Sequence, residues 1–286
     1  MSSLAATTKG HLFEDQAAAY ASYRPTYPDS MYDAIYSRMG PGRTLALDVG
    51  CGTGQATTRL ANDFQQVLGL DSSAGQLAQA VPHPRVRYSQ APAEDLRAAE
   101  PGSVDLLTVA QAYHWFDHPK FLREARRVLK PQVGSLALLS YACHELMAAG
   151  GSEKGSVYSA EQAATANTIN RELYAGTLGP YWDARRNLVD EEYRGLEPGP
   201  EHFGQVERVE GLAITRTWSL DQFLGYLESW SGLQTYRKRH PTLPDPLLAF
   251  RQNVKKALDI QDDAQPGTVH IRWPLCLVVA KDPRPL

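Results

Sequence analysis

The residues best suited to chemistry form a glycine-rich turn that is followed, one apolar run later, by an acid. Gly50, Gly52 and Gly54 come directly after a run that contains Asp48, and Asp71 ends the next run. Glycine has no Cβ, so this turn lets a ligand approach the backbone. About 20 residues separate the turn from Asp71, a spacing at which a carboxylate accepts hydrogen bonds from both ribose hydroxyls. The two segments together predict a pocket for a nucleotide-type cofactor.

The spacing of the glycines distinguishes between cofactor classes. A dinucleotide-binding turn places a small residue where this chain has Gln55. The G-x-G-x-G pattern, with Asp48 two residues ahead of it, resembles motif I of the class I S-adenosylmethionine-dependent methyltransferases. The resemblance implies S-adenosylmethionine as cofactor, S-adenosylhomocysteine as product and no metal. It implies cofactor contacts from Asp48, Gly50, Cys51, Gly52, Thr53, Gly54, Asp71 and Ser72. Ser73, the next residue, is a further candidate for the ribose or adenine, and either serine has an alternative role as the N-cap of the next helix.

Two later segments extend the resemblance. In residues 91–96 it assigns Ala93 and Glu94 to the adenine, although this chain has Pro92 where many relatives have an acid. The alternative for Glu94 is a solvated helix start. In residues 110–117 the resemblance brings Ala110 and Gln111 to the methionine part of the cofactor.

Two neighbouring residues are the candidates for the reaction centre. The resemblance directs His114 and Trp115 toward it, and an aromatic face suits a sulfonium cation. The alternative places Trp115 in the core under the next helix. A hydroxyl or amine acceptor needs a base, for which His114 is the candidate, whereas a carboxylate is already ionised at neutral pH. His118 follows His114 by four residues, but no third ligand accompanies the pair, so no metal site is predicted.

A further candidate site lies near the amino terminus. Arg24 offers a planar fork for a carboxylate of either the cofactor or the acceptor, and Tyr20 offers a hydroxyl beside it. The alternative is a surface arginine among packed tyrosines.

The chain also resembles one branch of this family. Residues 13–130, with Arg216–Ser219 and Tyr226–Ser231, are similar to the trans-aconitate methyltransferase-like proteins. That branch implies a small-molecule acceptor, including a carboxylic acid that would become a methyl ester. Two alternatives stay open: a non-catalytic S-adenosylmethionine-binding protein, and an NAD(P)-dependent oxidoreductase, which Gln55 disfavours.

Composition excludes several function classes. The 29 basic and 32 acidic residues give a formal charge of -3, so the protein has no positive electrostatic field that would attract nucleic acid. The three cysteines are far apart and predict neither disulfides nor zinc. The longest apolar stretch near the end, residues 275–280, is too short to span a membrane. We expect a cytoplasmic protein, monomeric or homodimeric, with neither nucleic acid nor membrane as partner.

The strands and helices that position the candidate site residues are predicted to alternate along the chain. Strands are predicted at 44–49, 66–70, 85–89, 104–110 and 134–141, each of the first four followed by a helix, the last at 116–130. Strands at 205–217 and 270–281 flank helices at 219–230 and 245–258. The predicted fold is α/β, a Rossmann-like, mostly parallel seven-stranded sheet with helices on both faces and a helical insertion between strands 5 and 6.

This pattern predicts three regions. Residues 1–40 form an N-terminal helical cap, with helices at 13–22 and 29–39. Residues 41–141 and 205–286 form the Rossmann-like core, and residues 142–204 form the helical insertion, which we expect to shape the acceptor site.

Overall fold

The computed structural model describes residues 25–148, 158–261 and 268–286. Tyr20, Arg24 and the helix predicted at 13–22 lie outside the described residues. The first five strands are β1 (Leu45–Val49), β2 (Gln66–Asp71), β3 (Val86–Gln90), β4 (Leu106–Ala110) and β5 (Ser135–Tyr141). β5 is buried along its whole length, as expected of a strand covered on both faces.

Four further strands complete the sheet in the described part of the chain. They are β6 (Glu145–Leu146), β7 (Phe203–Val209), β8 (Ala213–Ser219) and β9 (Thr268–Pro283). The core order is β3-β2-β1-β4-β5-β9-β7, and β9 pairs antiparallel with each of its neighbours. The first half of β9 also pairs with β6 and β8. The predicted seven-stranded sheet is thus present, and the two extra strands lengthen it.

Alternating side chains divide the core into two layers. In β5, Leu136 and Leu138 pack into one apolar cluster, while Ala137 and Leu139 pack into the other. β1 and β9 alternate between the same two clusters. Because successive strand residues point to opposite faces, the sheet is covered by chain on both sides.

Nine α-helices are described. They are α1 (Asp29–Tyr36), α2 (Gln55–Leu60), α3 (Ala74–Leu77), α4 (His118–Val128), α5 (Ala160–Arg171), α6 (Arg186–Asp190), α7 (Leu220–Glu228), α8 (Ser231–Arg239) and α9 (Pro246–Ala257). α4 begins where Asp117 caps the amide of Lys120, and its buried face consists of Phe121, Leu122, Ala125 and Val128. α5 and α6 lie between β5 and β7, which confirms a helical insertion there. None of the helices in the described ranges has the length and apolarity needed to cross a bilayer.

Three details of the predicted element pattern were wrong. Residues 91–105 contain turns and no helix, because Pro92 and Pro101 interrupt a helical backbone. The single strand predicted at 205–217 is the pair β7 and β8, separated by a turn in which Gly211 has a positive φ of 81°. Helix α8 was not predicted.

Candidate active site

A cleft opens at the carboxyl ends of β1, β2 and β4, where open α/β sheets bind ligands. Together with the open solvent at its mouth, the space between its walls is about 850 Å³. The residues predicted from sequence that line it are Gly50, Gly52, Asp71, Ser72, Ser73, Ala93, Ala110, Gln111 and Trp115. The other lining residues are Gln76, Ala91, Ala112 and Phe116.

Gly52 and Asp71 are joined in one hydrogen-bonded unit. The amide of Gly52 donates to Asp71 Oδ2 at 2.8 Å, and the amide of Ser73 donates to Oδ1 at 2.8 Å. Burial raises the pKa of Asp71 above its ordinary value, although these amides oppose the shift. Gly52 has a φ of 56°, and a Cβ built there would have as its nearest neighbour Gln76 Oε1, 3.7 Å away. The glycine therefore leaves space on the cleft side of the turn.

Gly54 has a different role. Its φ is 85°, and a Cβ there would lie 2.1 Å from the hydroxyl oxygen of Tyr88. Gly54 is therefore required for packing against β3 and for starting α2, and it does not line the cleft. Cys51 and Thr53 are buried beside it and do not line the cleft either.

Asp48 is fully buried under the turn. Its carboxylate accepts hydrogen bonds from Thr57 Oγ1 at 2.6 Å and from Thr108 Oγ1 at 2.8 Å. Burial raises its pKa to about 6, and the two hydroxyls act in the opposite direction. Asp48 thus ties β1 to α2 and β4, and it supports the cleft without lining it.

The two segments on the other side of the cleft are linked to each other. Ala93 lines the cleft, whereas Glu94 turns away, and its Oε1 accepts a hydrogen bond from the amide of Asp117 at 2.7 Å. Gln111 has a strained φ of 56°, and its Nε2 donates to the carbonyl of Tyr141 at 2.9 Å. These bonds fix both loops relative to the sheet.

His114 and Trp115 have different surroundings. His114 is 7% exposed, does not line the cleft, and its Nδ1 lies 3.1 Å from the hydroxyl of Tyr193. Burial, helped by Arg186 and Arg185, lowers the pKa of His114 to about 3, so the ring is neutral at pH 7. Trp115 lines the cleft, and the guanidinium carbon of Arg185 lies 5.5 Å from the centre of its ring.

His118 is hydrogen-bonded to the backbone of the same loop. Its Nε2 lies 3.0 Å from the carbonyl oxygen of Tyr113, which favours the tautomer that donates there. Among the residues that the structure describes, no group of three or more His, Cys, Asp or Glu side chains could hold a metal ion.

Sequence reasoning missed four of the lining residues: Gln76, Ala91, Ala112 and Phe116. Phe116 follows Trp115 in the sequence, so its position in the same loop could have indicated that it lines the cleft. Gln76 had no signal of its own. It reaches the cleft because Ser73 caps α3 and turns that helix back over the end of β2.

Comparison with known proteins identifies the family. Residues 47–137 match the family model of the methyltransferase domain. A Dictyostelium discoideum protein whose name assigns it to the methyltransferases is 32% identical over 270 residues, which are 94% of each chain. A trans-aconitate 2-methyltransferase of Deinococcus radiodurans is 36% identical over 213 residues, covering 65% of this chain and 80% of the relative.

A solved structure supports the same assignment. It comes from Anaeromyxobacter dehalogenans, is also named as a methyltransferase, and superposes with a TM-score of 0.73 at 33% identity. The match covers 91% of this chain and 98% of that one. The alternative of a nicotinamide-dependent oxidoreductase is not favoured. The chain belongs to the class I S-adenosylmethionine-dependent methyltransferases, as its glycine turn and the acid after β2 predicted.

Proposed function

We propose that this enzyme methylates a carboxylate of a small organic acid and produces a methyl ester and S-adenosylhomocysteine. The cleft at Gly50, Gly52 and Asp71 is the cofactor site of this proposal, with Trp115 and Phe116 at its reaction end. Residues 142–204 shape the acceptor site in the same proposal, between a core of residues 41–141 and 205–286 and a cap of residues 1–40.

The described residues fit the cofactor. Asp71 offers carboxylate oxygens to ribose hydroxyls, and the turn at Gly52 leaves room for a ligand against the backbone. Trp115 and Phe116 provide aromatic faces, which attract a cation. Bound S-adenosylmethionine supplies an electrophilic methyl group on a sulfonium.

The chain's own contribution is positioning. Holding two reactants in attack geometry can lower a barrier by roughly 7–11 kcal/mol. The hydrogen bonds from Gly52 to Asp71 and from Gln111 to Tyr141 give the cleft fixed walls for this purpose.

The state of His114 is the observation that carries the carboxylate proposal. The ring does not line the cleft, it is hydrogen-bonded to Tyr193, and its pKa is lowered to about 3, which makes it a weak base. Among the described residues that line the cleft, Asp71 is the only ionisable one, and its oxygens already accept two amide hydrogens. A carboxylate acceptor needs no base, because it is ionised well below pH 7. The similarity to a trans-aconitate 2-methyltransferase supports the same acceptor class.

Turnover with a panel of acids tests the proposal. The protein is incubated with methyl-labelled S-adenosylmethionine and with trans-aconitate, other carboxylic acids, amines and phenols. We expect label only in products that release methanol in mild base, as methyl esters do. Turnover of amines or phenols, with no turnover of any carboxylic acid, would contradict the proposal.

Replacement of His114 separates a basic role from a structural one. A general base contributes about 10²- to 10⁴-fold to the rate. We expect His114→Asn to lower kcat by less than about tenfold, equally at each pH from 6 to 9. Tyr193→Phe is the matched control, because it removes the same hydrogen bond and keeps the imidazole. A loss that affects only His114→Asn and varies with pH would make His114 a base.

A further inference from the structure

Two adjacent arginines lie close to the cleft without lining it, and the first of them is beside Trp115. Arg185 precedes α6 and Arg186 is its first residue. The guanidinium carbon of Arg185 lies 5.5 Å from the ring centre of Trp115, whose side chain lines the cleft. Both arginines act electrostatically on His114 and lower its pKa. The pair therefore lies near His114 and Trp115, and of these four residues Trp115 is the one that lines the cleft.

Arg185 has an unused donor. Its Nη1 is buried and has no hydrogen-bond partner. Among the described residues, no carboxylate lies within 4.0 Å of its guanidinium group. A buried donor without a partner costs free energy, and a charged one costs more. A ligand that accepts a hydrogen bond at this position would remove that cost.

Arg186 is held rigidly beside it. Its Nε donates to the hydroxyl of Tyr174 at 2.7 Å and lies 3.4 Å from Asp190. Its guanidinium carbon lies 5.8 Å from the ring centres of both Tyr174 and Trp182. The hydroxyl of Tyr174 also donates to Asp190, so this carboxylate is shared. Within the described residues, Asp190 is the one carboxylate in salt-bridge contact with the pair, which leaves an excess of positive charge.

We propose that Arg185 and Arg186 bind a second carboxylate of the acceptor, so that the enzyme prefers acids with two or more carboxylates. This inference rests on the proposed function. The bound carboxylate is not the one methylated, for two reasons. Neither arginine lines the cleft, so Trp115 is nearer to the reacting methyl group. A carboxylate gripped by guanidinium donors also has its lone pairs occupied, which weakens it as a nucleophile.

Binding to the product complex tests the inference without turnover. The protein saturated with S-adenosylhomocysteine is titrated with trans-aconitate by calorimetry. We expect Arg185→Gln and Arg186→Lys to weaken trans-aconitate binding about 10- to 100-fold, because each removes a charge-assisted or forked contact. Arg171→Gln is the matched control, since Arg171 is an exposed arginine of the same insertion that bonds to Thr168. Unchanged affinity in both variants would overturn the inference.

Selectivity gives a readout that a purely structural role would not change. For each variant, kcat/KM is measured with trans-aconitate and with crotonate, which has one carboxylate. In the wild type we expect a preference for trans-aconitate, and in Arg185→Gln a loss of at least tenfold in that preference through KM. An unchanged affinity for S-adenosylhomocysteine shows that the variant is folded.

The outcomes separate the two proposals. Methylation of carboxylic acids without any preference for trans-aconitate, or with a preference that Arg185→Gln retains, overturns the arginine site alone. Failure of the wild type to methylate any carboxylic acid overturns the proposed function, and the arginine site with it.

Discussion

Gly52 and Asp71 illustrate how single residues form the site. They are 19 residues apart in the sequence, and one hydrogen bond of 2.8 Å joins the amide of the first to the carboxylate of the second. The turn therefore cannot shift without moving the acid. Since Ser73 holds the other oxygen, the carboxylate is oriented before any ligand arrives.

Replacement of Gly52 by alanine tests this unit. The new Cβ would stand on the cleft side of the turn, and the residue would have to keep a φ of 56°. We expect a loss of stability of about 1–2 kcal/mol from the strained backbone. We also expect a loss of affinity for S-adenosylhomocysteine of at least tenfold, measured by calorimetry.

Gly211→Ala is the matched control for that change. Gly211 has a φ of 81°, and a Cβ there would meet no atom within 4 Å. The control should therefore lose similar stability and keep the affinity for S-adenosylhomocysteine. Equal affinity in the two variants would show that the cofactor does not lie against Gly52.

The sequence predicted which residues lie along the cleft more accurately than it predicted the role of each residue. The motif placed Gly50, Gly52, Asp71 and Trp115 along the cleft, where the structure has them. Gly54 belongs to the same motif but has another role, since the absence of a Cβ there leaves room for Tyr88. That contact joins a turn to a strand more than 30 residues later, and no local pattern encodes it.

At the scale of elements, Asp105 holds together the end of the sheet opposite the cleft. Its Oδ2 accepts hydrogen bonds from the amides of Thr44 and Leu45 at 2.9 and 3.0 Å. Its Oδ1 lies 2.6 Å from Nζ of Lys130, which follows α4. Burial opposes ionisation, but Lys130 and the two amides outweigh it and lower the pKa of Asp105.

Asp105→Asn should therefore affect stability and not the site. We expect the free energy of unfolding to fall by about 1.5–3 kcal/mol, the range for a hydrogen bond to a charged group. The KM for S-adenosylmethionine should stay unchanged, because the cleft is at the other end of the strands. Asp221→Asn, at an exposed ion pair with Arg251, is the control and should change neither quantity. A raised KM in Asp105→Asn would show that the two ends are coupled.

The order of elements could be predicted because apolar periodicity is local. Helix α4 and strands β1 to β5 follow from it directly. The pairing of β9 with four other strands could not be predicted, because it depends on contacts between residues far apart in the chain. Residues 91–105 lack a helix although strand–helix alternation predicted one, since the prolines there outweigh the alternation.

At the scale of the whole molecule, buried titratable groups set how stability depends on pH. Burial lowers the pKa of His114 and of His144 to about 3. Unfolded histidine titrates near 6.5, so below that pH the unfolded chain binds protons that the folded one excludes. Each histidine thus costs stability as the pH falls from about 6.5 toward 3. Asp48, with its pKa raised to about 6, acts oppositely between pH 6 and about 4.

His144→Phe isolates one of these contributions. His144 lies among aromatic rings, 4.8 Å from that of Phe223, and neither of its ring nitrogens has a hydrogen-bond partner within the described residues. We expect the variant to be more stable at pH 8 by about 1–3 kcal/mol, because two unsatisfied polar atoms are removed. Its advantage should grow by about 1.4 kcal/mol per pH unit from pH 6 to 4. Denaturant unfolding measures both, and an advantage that does not change with pH would contradict this account.

We place the adenosine of the methyl donor in the cleft above Gly52, which Asp71 closes on one side. A crystal structure of the protein grown with S-adenosylhomocysteine would locate it. We expect the ribose hydroxyls on the carboxylate of Asp71 and the sulfur toward Trp115. A ligand bound elsewhere on the molecule, with this cleft empty, would contradict this placement.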